Sequence, residues 1–65
     1  MKKFVTFRTR RGGFAIVCNG EKEQAAMYND VRQTIREAKY VRKRETAIFS
    51  KKIKTMTPEE YYKLF

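Results

Sequence analysis

The sequence predicts an α+β domain in the order β-β-α-β-α, with a long helix packed on one face of a three-stranded sheet. Three observations carry this prediction. Two segments rich in aromatic and β-branched residues flank Gly12-Gly13, and apolar residues then recur at three- and four-residue spacing between residues 21 and 44. A threonine-proline pair, Thr57-Pro58, opens a further helical signal.

Residues 4–9 alternate loosely, with Val5 and Phe7 on one side and Phe4, Thr6 and Arg8 on the other, as in a strand covered on one face only. Arg10-Arg11-Gly12-Gly13 reads as the turn of a β-hairpin, since glycine tolerates the positive φ such turns require. In the second strand Phe14, Ile16 and Cys18 oppose Ala15 and Val17, so both sides are apolar and a central position is expected.

Asn19-Gly20 ends the hairpin, and one helix is expected over 21–44 with Asn19 placed to cap it. Glu21 and Glu23 at its start, and Arg42, Lys43 and Arg44 at its end, complement the helix dipole. Tyr28, Val31, Ile35 and Ala38, with Met27 and Val41 beside them, mark the face turned to the sheet. A third strand is expected over 46–56, where Ala47, Phe49 and Ile53 alternate against Ile48, Ser50, Lys52 and Lys54. Its partner stays open between the first strand, antiparallel, and the second, parallel through a crossover. Thr57 and Glu60 have the spacing of a capping box with Pro58 at the first helical position, so a short helix follows, its apolar side made by Tyr61, Tyr62, Leu64 and Phe65.

Sixty-five residues suffice for one domain, 1–65, but not for two. A core this small rarely supplies more than about 3–5 kcal/mol unaided, which leaves homodimerisation open. The 42% hydrophobic content is too high for a disordered chain. Only Phe14 to Cys18 form a continuous apolar run, so neither a membrane span nor an export signal is expected. The lone Cys18 has no disulfide partner, and a reducing, cytoplasmic setting is expected.

Sixteen lysines and arginines against seven carboxylates give a net charge of +9, which favours polyanions or acidic protein surfaces as partners. The first twenty residues hold Lys2, Lys3, Arg8, Arg10 and Arg11 and no acid. Such a basic hairpin suits a nucleic-acid groove or phosphate chain, although charge on an edge hairpin also blocks edge-to-edge pairing. On the helix Arg32, Arg36, Lys39 and Lys43 fall at intervals of four, three and four, one stripe on a continuous helix, with Glu23, Asp30 and Glu37 on another. Lys51 and Lys52, followed by Lys54, form a third cluster. Aromatic residues interleave with these clusters and are expected mainly in the core, with Tyr40 the best placed to be exposed.

Catalytic chemistry finds little to work with. Histidine is absent, and helix ends and surface stripes explain the carboxylates, so no enzyme activity, metal or cofactor is expected. Gly12-Gly13 lacks the spacing of nucleotide-binding loops, and signatures of helix-turn-helix, zinc-finger, RRM, KH and ribbon-helix-helix proteins are lacking. The expectation is a nucleic-acid-binding accessory protein, for DNA or RNA, with Arg8, Arg10, Arg11, Arg32, Arg36, Lys39, Lys43, Lys51 and Lys52 on phosphates. The alternative is a small virus- or plasmid-type modulator docking on an acidic protein surface, anchored by Tyr40, Tyr61, Tyr62 and Phe65. Attachment to anionic lipid through the helix conflicts with use of its apolar face against the sheet.

Overall fold

Side-chain alternation and the ladder of backbone hydrogen bonds fix the hairpin. In the computed structural model, which describes residues 2–9, 12–48 and 52–64 and gives residues 38–41 by their backbone only, β1 (Lys3–Thr9) pairs antiparallel with β2 (Gly12–Cys18). The register runs from Lys3 opposite Cys18 to Thr9 opposite Gly12. Gly12 and Gly13 therefore belong to β2 and do not form the turn, a correction to the four-residue connection. Only residues 10–11 lie between the strands, and both Arg10 and Arg11 are outside the described residues. The glycines serve the start of the strand. Gly12 has φ 132°, and a Cβ on Gly13 would lie 2.7 Å from the Phe7 carbonyl oxygen.

A third strand, β3 (Ile53–Met56), pairs parallel with β2, from Gly13 opposite Ile53 to Ile16 opposite Met56. The sheet order is β1-β2-β3, so β2 is central, as its two apolar sides predict. Of the described residues in the expected 46–56, only 53–56 are strand. Ala47 and Ile48 are helical, and residues 49–51, including Phe49 and Lys51, are outside the described residues.

The single long helix is also corrected. Two helices, α1 (Glu21–Arg36) and α2 (Ala38–Ile48), meet at Glu37, whose φ −94° and ψ 79° leave the helical region while its N–H bonds back to the carbonyls of Gln33 and Thr34. No glycine or proline marks this break in the sequence. Its physical reason is size: a straight helix of 24 residues measures about 36 Å, whereas the seven-residue strands beneath it span about 23 Å. A straight helix would overrun the sheet and leave Ile48 in water; the break lets Ile48 join the core.

The α1 start also differs. Gly20 is the N-cap residue without a side-chain cap, and the Glu23 carboxylate accepts from the Asn19 backbone N–H. Its buried residues are Met27, Val31 and Thr34: of the predicted face Met27 and Val31 are buried, Tyr28 and Ile35 are 48% and 43% exposed, and Ala38 and Val41 lie where only the backbone is described. The helix is thus rolled toward Met27 and Thr34 relative to expectation. Thr34 tolerates burial because its hydroxyl donates to the Asp30 carbonyl at 2.9 Å and accepts from the Tyr61 hydroxyl at 3.3 Å.

The last helix, α3 (Pro58–Tyr62), has the expected cap, with the Glu60 N–H donating to Thr57 Oγ1 at 3.3 Å and proline in the first turn. Tyr61 is fully buried, its ring centroid 6.4 Å from that of Phe14. Val5, Phe7, Phe14, Ile16, Cys18, Met27, Val31, Ile48 and Tyr61 make one core, with Met56 and Leu64 packed at its border. Among the described residues no helix is long and apolar enough to cross a membrane.

Candidate polyanion interface

The direction of α1 decides where the charges lie. The Gln24 amide donates to the Phe4 carbonyl, the Tyr28 ring centroid sits 6.1 Å from that of Phe7, and Thr34 and Ile35 line one narrow cavity with Thr9. Helix α1 therefore runs alongside β1 in the same direction, from the Lys3–Cys18 end of the sheet to the hairpin-turn end. Because β3 is parallel to β2 and starts opposite Gly13, the chain before it, Lys52 included, is also at the turn end. Arg44 and Glu45 of α2 line the same cavity as Thr9, which places that part of α2 there as well.

Consequently Arg8 of β1, Arg36 of α1 and Lys52, just before β3, reach the turn end, and all three are exposed. Arg32, one turn back along α1, and Lys43, beside Arg44 on α2, are exposed too. Glu37 and Glu45 are the acids in their company. At the opposite end lie Glu21 and Glu23 in the first turn of α1, with Lys2, Lys3 and Lys22, while α3 packs back over the sheet, Tyr61 meeting Phe14, Thr34 and Arg44. The turn end thus gathers exposed arginine and lysine from several segments of the chain.

The predicted stripe Arg32, Arg36, Lys39, Lys43 is not one line, since the helical phase that defined it ends at Glu37. Arg32 and Arg36 share the outer face of α1 and border a shallow groove with Tyr28, Asn29 and Gln33. The Arg32 guanidinium carbon lies 5.6 Å from the Tyr28 ring centroid, a cation–π contact that orients the charge outward from α1. Lys39 and Tyr40 lie where only the backbone is described. The matching acidic stripe is lost as well: Glu37 is the helix terminus, and Asp30 is half-buried, its Oδ2 accepting no hydrogen bond among the described residues.

Arg44, expected at an exposed helix end, is 4% exposed. Its guanidinium carbon lies 3.9 Å from the Tyr61 ring centroid. Burial pushes its pKa down to about 10, against the opposing pull of the Asp30 carboxylate. Desolvation of its buried side, reinforced by Asp30 and opposed by Arg44, raises the Tyr62 hydroxyl. This charge serves the packing of α2 over Tyr61 and is withdrawn from any outer surface. The partner-anchoring role expected of Tyr61 is corrected for the same reason: its ring is core. Tyr62 is 49% exposed and stacks edge-on against Tyr61 at 5.4 Å, while Phe65 is outside the described residues.

Cys18 is buried, and its thiol pKa is raised by that burial and by nearby Glu23. Such a thiol is a packing group. Sequence reasoning missed the exposure of Phe4 and Tyr28. Phe4 was legible, because it shares strand parity with Thr6 and Arg8; Tyr28 was not, because Met27 beside it satisfies the helical period equally well. No protein-family model, curated protein or solved structure matches the chain.

Proposed function

We propose that this protein binds nucleic acid, holding its phosphates with the cations gathered at the hairpin-turn end. Arg8, Arg32, Arg36, Lys43 and Lys52 are the contacts of this reading. The observation that carries it is the gathering of exposed cations at one end: a chain of net charge +9 with its cations spread evenly would have no preferred docking end. Arginine suits the role because its planar fork pairs bidentately with phosphate oxygens. Contacts of this kind fix position without reading sequence, so the affinity is general and governed by salt.

Two charge reversals of equal size test the reading. Arg32→Glu with Arg36→Glu removes charge from the turn end, and Lys3→Glu with Lys22→Glu removes the same charge from the other. Titration against a labelled duplex and a single strand over a range of salt should show that the first pair weakens binding and flattens the salt slope by roughly 2, about one per lost contact. The second pair should change it much less. Equal losses from both pairs, or a flat salt response of the unmodified protein, overturn the proposal.

Docking on an acidic protein surface is the other reading of the same cations. Burial of Tyr61 deprives it of its central aromatic anchor and leaves Tyr62 at the margin, whereas hot spots need a desolvated aromatic at the centre of the contact.

A further inference from the structure

All three helices that follow the hairpin leave one face of the sheet uncovered. The residues of α1 and α3 that enter the core, Met27, Val31 and Tyr61, meet Val5, Phe7, Phe14, Ile16 and Cys18, which share one face by strand alternation. The other face carries Phe4, Thr6 and Arg8 along β1, Ala15 and Val17 on β2, and Ile53 and Thr55 on β3, and Lys2 stands just before β1. The register sets Phe4 beside Val17, Thr6 beside Ala15 and Thr55, and Arg8 beside Gly13 and Ile53. Phe4 is 58% exposed, more than any other large hydrophobic residue described. No strand contains an acidic residue.

We propose that this open sheet face is a platform for single-stranded nucleic acid, with a base stacked on the Phe4 ring and the neighbouring phosphates held by Lys2 and Arg8. The inference rests on the nucleic-acid reading of the turn end and adds a second surface and a strand preference to it. Phe4 shares the open face of β1 with Arg8, and Lys2 precedes the strand by one residue. Arg8, four residues along, is about 13 Å away at the rise of a β-strand. An aromatic ring with cations along the same chain path is the arrangement that single-strand binders use, because every base offers a π-face whatever its sequence. A duplex covers those faces with neighbouring base pairs and gives Phe4 nothing to stack on.

The competing occupant is a second copy of this chain. Three strands are about 14 Å across and a seven-residue strand about 23 Å long, so the face offers on the order of 300 Å². A stable interface needs about 800 Å² from each partner. Two copies would also set Lys2 and Arg8 against like charges, with no acid on either face. The charge repels a copy and attracts a polyanion.

Phe4→Leu is the discriminating substitution, because leucine keeps an apolar contact with Val17 and removes only the π-face. Thr6→Glu, at the centre of the face, is the second variant and acts by charge. The probes are oligothymidylate, oligouridylate, a duplex of equal length and inorganic polyphosphate, with circular dichroism to check that each variant folds. The unmodified protein should bind the two single strands more tightly than the duplex. Phe4→Leu should lose about five- to hundred-fold on the single strands and nothing on duplex or polyphosphate, and Thr6→Glu should likewise weaken the single strands most. If both variants bind the single strands as the unmodified protein does, while duplex and polyphosphate binding persist, the platform is refuted and the turn-end reading stands. If the unmodified protein binds none of the four probes, both are refuted.

Discussion

Replacing Tyr61 by alanine should abolish the fold, and the reason is quantitative. The side chain is fully buried, contacts the Phe14 ring at 6.4 Å, carries the Arg44 guanidinium 3.9 Å above its own ring, and donates its hydroxyl to Thr34 at 3.3 Å. Removing a buried aromatic ring costs about 3–5 kcal/mol, and the loss strands the Arg44 charge over an empty volume, which adds to the cost. A core of this size supplies about 3–5 kcal/mol in total, so Tyr61→Ala should show no cooperative urea transition by far-UV circular dichroism. Tyr61→Phe is the control. It deletes one long hydrogen bond, and the Thr34 hydroxyl still donates to the Asp30 carbonyl, so the loss should fall near 0.5 kcal/mol, the low end of the usual range. A Tyr61→Ala protein that unfolds at the urea midpoint of the parent would refute the placement of this ring in the core. It would also restore Tyr61 as a candidate anchor for a partner protein.

Gly13→Ala should destabilise the hairpin by about 1–3 kcal/mol, because the new Cβ meets the Phe7 carbonyl oxygen at 2.7 Å, a backbone atom that moves only if β1 moves. Gly20→Ala, with nothing within 4 Å and an extended backbone, should be close to neutral; equal melting temperatures for the two variants would contradict this account. Burial raises the Cys18 thiol above its ordinary 9.0, so on alkalinisation the unfolded chain loses its proton first. The unfolded state then binds fewer protons, and stability falls as pH climbs from about 9 through the folded pKa. Cys18→Ala should remove that part of the slope in urea titrations at pH 8 to 10.5, and an identical slope in both proteins would count against it. In the folded protein the thiol should also react with a thiol reagent far more slowly than in denaturant.

The gathered charge also orients a partner. The cations at Arg8, Arg36 and Lys52 attract a polyanion, so encounter is steered toward the turn end before any contact forms. The open sheet face borders that end through Arg8, which belongs to both surfaces. A strand held at the turn end therefore has a path along β1 toward Phe4.

Local rules made much of the fold legible. Alternation in 4–9 and 14–18 predicted the hairpin and its one-sided first strand, the two-sided apolar pattern placed β2 at the centre, and Thr57, Pro58 and Glu60 predicted the start of the last helix. Each of these depends on residues within a few positions of one another, where sterics, capping and strand parity act directly. The sequence likewise determined the net charge and the lack of histidine chemistry.

What the tertiary structure alone decided is every feature that depends on distance across the fold. The helix breaks at Glu37, without a breaker residue, because the sheet is shorter than the periodic segment and the core gains Ile48 when α2 turns back. Thr34 replaces Ile35 in the core because Tyr61, 27 positions later, supplies a partner for its hydroxyl. Arg44 leaves the charged surface because the same ring accepts its guanidinium. The gathering of Arg8, Arg36 and Lys52 at one end follows from a parallel β3 and an α1 that runs with β1, and strand order and helix direction are set by long-range burial, not by any neighbouring residue.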